Sequence, residues 1–172
     1  MKLNPVTEKF VLHWGEMGSK WGVNRTMSQI HALLYIIGKP LDAEEITETL
    51  GVARSNVSTS IKELQNWGLV QKVSVLGDRR DHFTTNTDVW ELARIVVVER
   101  QKRELDPTVH FLQELMDSPE FEFENSEVKT RIKDTQEFVA TVTTWSSEML
   151  RLPTSALKKV LKLGASVKKF LG

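Results

Sequence analysis

The 172-residue chain contains no cysteine, which excludes disulfide frameworks, thiol nucleophiles and zinc sites built on thiolates. No run approaches the 18 or so apolar residues that span a bilayer. The opening "MKLNPVTEKF" also lacks the long apolar core of a secretory signal. A cytoplasmic protein without stable membrane association is expected. Net charge is missing too, since 23 Lys and Arg balance 23 Asp and Glu. No repeat or low-complexity tract is visible, and the 40% apolar and 27% charged content suits a soluble globular chain.

Catalytic signatures are also wanting. There is no GxGxxG, phosphate-binding loop or GxSxG, and "GEMGSKWG" is too loosely spaced to serve as one. His13, His31, His82 and His110 are scattered without an HxxxH or HExxH pairing, so surface or half-buried roles outweigh metal ligation. No enzyme, metal site or cofactor is expected.

What is present is charge sorted by segment. Gly51 to Arg80 carries five basic and two acidic residues, a balance of +3, whereas Asp88 to Leu150 carries seven against fourteen, or −7. Arg151 to Gly172 then has six basic residues and no acid. The neutral total therefore says little about any one face.

Punctuation and periodicity divide the chain into elements. Asn4-Pro5 reads as an N-cap with Pro at the first helical position. Val6, Phe10, Trp14, Met17 and Trp21 then mark the apolar face of a helix over about residues 5–20. Met27, Ile30, Leu34 and Ile37 form a second helix stopped by Gly38 and Pro40. Leu41-Asp42 opens a third, with Ala43, Ile46 and Leu50 inward and acidic residues in its first turn. A fourth spans about Ser55 to Trp67. "LVQKVSV", "LGDRRD" and "HFTTN" read as strand, Gly-containing turn and return strand.

Farther on, Asp88 caps a longer helix that Pro107 kinks or restarts, and a loop surrounds Pro119. Ser126 is read as the cap of another helix. There Val128, Ile132, Thr135, Val139, Val142, Ser146 and Met149 are spaced for helix-on-helix packing, with Phe138 and Trp145 widening the seam. Past Pro153, "LKKVLKLGASVKKFLG" is a basic amphipathic helix interrupted by Gly164. Anionic lipid, flanking DNA or the acidic middle helices within a dimer interface are its candidate partners, the last favoured.

The segment "ITETLGVARSNVSTSIKEL" carries the chemistry. Ile46 and Leu50 lie on one helix, Gly51 at the turn, and Val57, Ile61 and Leu64 on the next, a helix-turn-helix arrangement. Opposite that core stripe fall Ser55, Thr59, Lys62 and Asn66, with Asn56 and Ser58 on the flanks and Arg54 at the N-terminal end. Short hydroxyl and amide side chains are mediocre helix formers, but they let a helix enter a major groove and hydrogen-bond to base edges or phosphates. Downstream, Gly77 permits a tight turn beside Arg79 and Arg80, which suit a minor groove or phosphates, and Asp81 is placed to orient one of them. The fold expected is mainly α with a small β-hairpin. A winged helix-turn-helix domain over 1–87 precedes a helical linker and dimerisation region over 88–172.

"WGVNRTMSQIHALLYI", "KPLDAEEITETLGVARSNVSTSIKELQNWGLV", "VLGDRRDHF" and "ERQKRELDPT" together resemble the bacterial MarR-type winged-helix regulators. Within them they are similar to the branch like GbsR, the repressor of glycine-betaine synthesis from choline. The likeness covers roughly residues 10 to 115. It implies a homodimeric regulator, a repressor of osmolyte genes in osmotic stress, that binds a palindromic operator in double-stranded DNA. A small effector such as choline or a betaine is implied as well. Ser55, Asn56, Ser58, Thr59 and Lys62 match the recognition-helix positions, and Arg79 and Arg80 match the wing. A winged helix used only for protein contacts is the alternative.

A quaternary-ammonium effector favours an aromatic cage, for which Trp14, Trp21, Trp90 and Trp145 are the candidate walls. All four fall on or beside apolar helical stripes, so packing in the core is the favoured reading of them.

Overall fold

The computed structural model describes residues 1–164, which divide into two compact units, the first being Met1–Val96 and the second beginning at Val97. The first unit contains α1 (Pro5–Lys20), α2 (Arg25–Ile37), β1 (Leu41–Asp42), α3 (Ala43–Leu50), α4 (Arg54–Asn66), β2 (Val70–Val75) and β3 (Asp78–Thr85). It ends within α5 (Val89–Arg100). Mostly helical with one small antiparallel sheet, it is a winged helix.

Local chemistry sets these boundaries. The Asn4 side chain accepts hydrogen bonds from the amides of Val6 and Thr7 at the start of α1, and Asn24 does the same for Met27 at the start of α2. Asp42 and Glu45 form a reciprocal capping box on α3. Gly38 and Gly51 close α2 and α3 at φ 66° and 64°, a left-handed geometry that any side chain would strain.

The core gathers Ile30, Leu33 and Leu34 of α2, Leu41 of β1, Ile46 of α3, and Val57, Ile61 and Leu64 of α4. The sheet runs β1-β3-β2, with Leu41 opposite Phe83 and Asp42 opposite His82, and Lys72 pairs with Phe83 on the other edge. Strand β1 is two residues long and absent from the sequence expectation. Leu92 belongs to the same core, with Ile95 and Val96 packed against it. The compact unit therefore reaches Val96, past the expected boundary at 87.

One helix face differs from expectation. The buried residues of α1 are Val11, Gly15 and Gly18, while Val6, Trp14 and Trp21 are exposed. The aromatic stripe lies about 100° around the helix from the packed one, at 3.6 residues per turn. Two glycines bring α1 close to α2, and glycine contributes no apolar signal to a sequence pattern.

In the second unit a π-helical turn (Gln101–Leu105) leads into α6 (Asp106–Asp117), a 3-10 turn (Pro119–Phe123), α7 (Ser126–Arg151) and α8 (Thr154–Gly164). Pro107 has no N–H to give the preceding turn, and the π-helical widening directly before it accommodates that loss without breaking the helical path. Asn125, not Ser126, caps α7 through the Glu127 amide. The expected seam of α7 is split. Ile132 and Val139 are half-buried, whereas Phe138, Val142 and Trp145 are exposed. Leu157 alone is buried among the described residues of this unit. The expected continuation of the basic helix over 165–172 lies outside the described residues. Among the described residues no helix is long and apolar enough to cross a membrane.

Candidate nucleic-acid interface

Helix α4 presents two chemically opposed faces. Val57, Ile61 and Leu64 are buried, and Ser60 joins them. Arg54, Ser55, Asn56, Ser58, Thr59, Lys62 and Asn66 are all exposed. The residue before the helix is Ala53, and no side chain caps the first turn. Its backbone N–H groups point outward with the positive end of the helix dipole, an arrangement that receives an anionic oxygen.

The wing is built differently from the sequence reading. Strand β3 begins at Asp78, so Arg79 and Arg80 belong to the strand and not to the turn. Successive strand residues face opposite sides, and the two arginines accordingly have different surroundings. Arg79 is exposed. Arg80 turns toward α3, where its Nη1 lies 2.6 Å from Asp42 Oδ2 and 4.0 Å from Glu44 Oε2, and its Nε lies 3.0 Å from both Asp78 oxygens.

Those hydrogen bonds from Arg80 hold the Asp78 carboxyl well below the usual carboxylate range. The bond to Asp78, reinforced by the charges of Asp42, Asp78 and Glu44, raises the Arg80 guanidinium above its ordinary value. Asp81, expected to orient an arginine, instead pairs with Lys72 at 2.8 Å. The side-chain register of the wing explains the exchange: Asp78 and Arg80 share one face, and Asp81 falls on the other.

Between α4 and the wing runs a groove of about 490 Å³ lined by Arg54, Ser58, Lys62, Lys72, Glu44 and Asp81 among others. Asp42, Glu45 and His82 place ligand-type atoms within 4.8 Å of one another beneath it. No sequence spacing announced this trio, because it depends on β1 pairing with β3. Its oxygens already serve protein donors. Asp42 Oδ1 accepts from the Glu44 and Glu45 amides, Oδ2 faces Arg80, and Glu45 Oε2 accepts from the Asp42 amide.

The tryptophans depart from the core placement expected of them. Trp14 is 38%, Trp21 52% and Trp145 59% exposed, and Trp90 is half-buried. Trp14 and Trp21 meet edge to face with ring centroids 5.9 Å apart, and Phe10 joins Trp14 in the same way. Of the candidate cage residues, Trp14 and Trp21 are thus brought together, while Trp145 belongs to the second unit.

Comparison with known proteins supports the architecture. Over 97 residues, 53% of this chain, the sequence is 22% identical to the putative HTH-type transcriptional regulator YvaV of Bacillus subtilis (strain 168). The match spans about half of that relative, 55% of its length. A crystal structure described as a transcriptional regulator superimposes with a TM-score of 0.66 at 17% identity, covering 85% of this chain and 96% of its own. At that identity it speaks for the fold. The MarR family model matches residues 21–81, from the end of α1 through the wing arginines.

Proposed function

We propose that the chain is a sequence-specific DNA-binding transcriptional regulator that acts as a homodimer on a palindromic operator. The observation that carries this reading is the fully exposed polar face of α4, from Arg54 to Lys62, set beside a wing bearing Arg79. Arg54, Lys62, Arg79 and Arg80 supply phosphate or minor-groove contacts, and Ser55, Asn56, Ser58 and Thr59 reach base edges, with Asn66 at the far end of the same face. Exposed apolar stripes on α1 and α7 favour a second copy as partner.

The finer reading follows the resemblance to the GbsR-like branch. It makes the protein a repressor of compatible-solute genes, released by an effector such as choline or a betaine. Trp14 and Trp21, whose rings already meet, offer the aromatic wall such a cation needs; Trp90 and Trp145 remain secondary candidates.

Selection of genomic fragments, followed by fluorescence anisotropy on the enriched duplex with and without these osmolytes, tests both levels. Specific binding that weakens steeply with salt is expected. Binding at about 0.1 M salt no tighter than that of an unrelated neutral protein would leave the winged helix as a protein-interaction module. Affinity unchanged by every osmolyte would remove the effector.

A further inference from the structure

Lys72 of β2 and Asp81 of β3 meet across the wing at 2.8 Å. Lys72 lies opposite Phe83 in the strand register, so Asp81 is its diagonal neighbour on the same face of the ladder. Both side chains are more than half exposed. No other side-chain hydrogen bond or ion pair engages either of them among the described residues.

The pair stands in the groove between α4 and the wing, to which the helix contributes Arg54 and Lys62. Cations thus enter this groove from both walls. In B-form DNA a sugar-phosphate strand separates the major groove from the minor groove, so a helix seated in one and a wing in the next leave that strand between them. Each strand carries one negative charge per roughly 3.4 Å. Arg54, Lys62 and Lys72 suit such a strand, and Asp81 does not. The other carboxylates of the lining, Asp42 and Glu44, face Arg80 instead.

An exposed ion pair contributes little to stability, because water solvates both charges when it opens. A phosphate of the duplex can therefore displace Asp81 from Lys72 at small cost, one anionic oxygen taking the place of another. Resting on the reading that this winged helix binds DNA, we infer that Lys72 is a further phosphate-contacting residue and that Asp81 is its placeholder. The carboxylate holds the ammonium group in the free protein and yields it to the duplex. Once released, it lies beside the phosphate strand as a like charge and weakens binding to every sequence alike, which leaves the base contacts of α4 to decide where the protein stays.

The test measures fluorescence anisotropy of the full-length wild type, Lys72→Gln, Asp81→Asn and the double variant on the selected duplex over a range of salt. Both positions are exposed, so the variants are expected to unfold at the wild-type temperature. Lys72→Gln is expected to weaken binding and to flatten the salt dependence by about 0.9 in slope, the value for one lost phosphate contact. Asp81→Asn is expected to tighten binding about fivefold, the effect of removing one like charge at contact distance in water. In the Lys72→Gln background the same change is again expected to tighten binding.

A carboxylate that only positioned Lys72 would act in the opposite sense, weakening binding when neutralised and doing nothing once Lys72 is gone. Binding weakened or unchanged by Asp81→Asn would thus overturn the placeholder role. A salt slope unmoved by Lys72→Gln would overturn the phosphate contact while leaving the DNA reading in place. A wild type that binds no duplex better than an unrelated neutral protein would remove the DNA reading and this inference together.

Discussion

His31 Nε2 lies 3.1 Å from the Thr85 hydroxyl oxygen, and that hydroxyl gives its proton to the Leu69 carbonyl at 2.6 Å. The imidazole is therefore the donor, through Nε2–H. This relay ties α2 to β3 and to the residue preceding β2, beneath the wing. Burial lowers the His31 pKa from the usual 6.5 to about 4.

The unfolded imidazole takes up its proton as the pH falls through 6.5, whereas the folded one resists until about 4. Stability is fully present above pH 6.5, is lost progressively toward pH 4 and levels below it. At 1.36 kcal/mol per unit the loss approaches about 3 kcal/mol. His31→Gln keeps a donor at the end of the side chain and removes the titration. Urea midpoints measured from pH 7 down to 4 are expected to fall less for the variant than for the wild type. Parallel curves would refute the assignment.

Gly18 sits where α1 touches α2. A Cβ built there falls 2.0 Å from Ser28 Oγ and 2.6 Å from Ser28 Cβ, too close for either helix to stay in place. Gly18→Ala is expected to destabilise the protein by about 1–3 kcal/mol, the usual range for overpacking. Ser28→Gly added to it should restore part of the loss despite the poor helix propensity of glycine. Chemical denaturation reads both, and a neutral Gly18→Ala would mean that the helices have room to separate.

Arg54 and Asn56 both lie exposed in the first turn of α4 but are assigned different tasks. An amide that reads a base discriminates between sequences, whereas a cation on a phosphate holds all sequences alike. Asn56→Ala is expected to reduce the preference for the selected duplex over one substituted at the contacted base by about 1–3 kcal/mol. Arg54→Ala should weaken both duplexes equally and flatten the salt slope by about 0.9. Competition binding across single-base variants of the site separates the two. Equal losses for Asn56→Ala on every duplex would move Asn56 to the backbone-contact class.

How much of this was legible in the sequence depended on whether a signal was local. The α4 stripe was, because Val57, Ile61 and Leu64 alternate with polar residues inside four turns. The Asp42–Arg80 ion pair was not. Its partners are about forty residues apart and meet through β1, a two-residue strand too short to leave a periodic mark. Nor could the packed side of α1 be read, since its contacts are made by glycines while its aromatics face outward. The same pattern explains α7, where hydrophobic periodicity located an apolar arc without saying which part meets α6.

The outward part of that arc makes a last prediction. Phe138, Val142 and Trp145 recur at i, i+4 and i+7 along α7 and are 68%, 38% and 59% exposed. A continuous apolar stripe of this kind is costly to leave in water, at roughly 25 cal/mol per Å² of apolar surface. The unit that carries it has Leu157 as its one buried side chain among the described residues. Covering the stripe with the same stripe of a second copy satisfies a two-fold interface, in which each residue meets its own symmetry region. Sedimentation equilibrium is expected to report a dimer at about 10 μM, the concentration range in which about −8 kcal/mol of association is readily measured. Trp145→Glu places a charge among apolar side chains and is expected to raise the dissociation constant at least about 100-fold, or about 3 kcal/mol. Leu76→Glu, at the fully exposed tip of the wing, is the control and should leave the dimer intact. A wild type that stays monomeric at that concentration would remove α7 as the dimer surface, and with it the two-fold operator geometry that the proposed function requires.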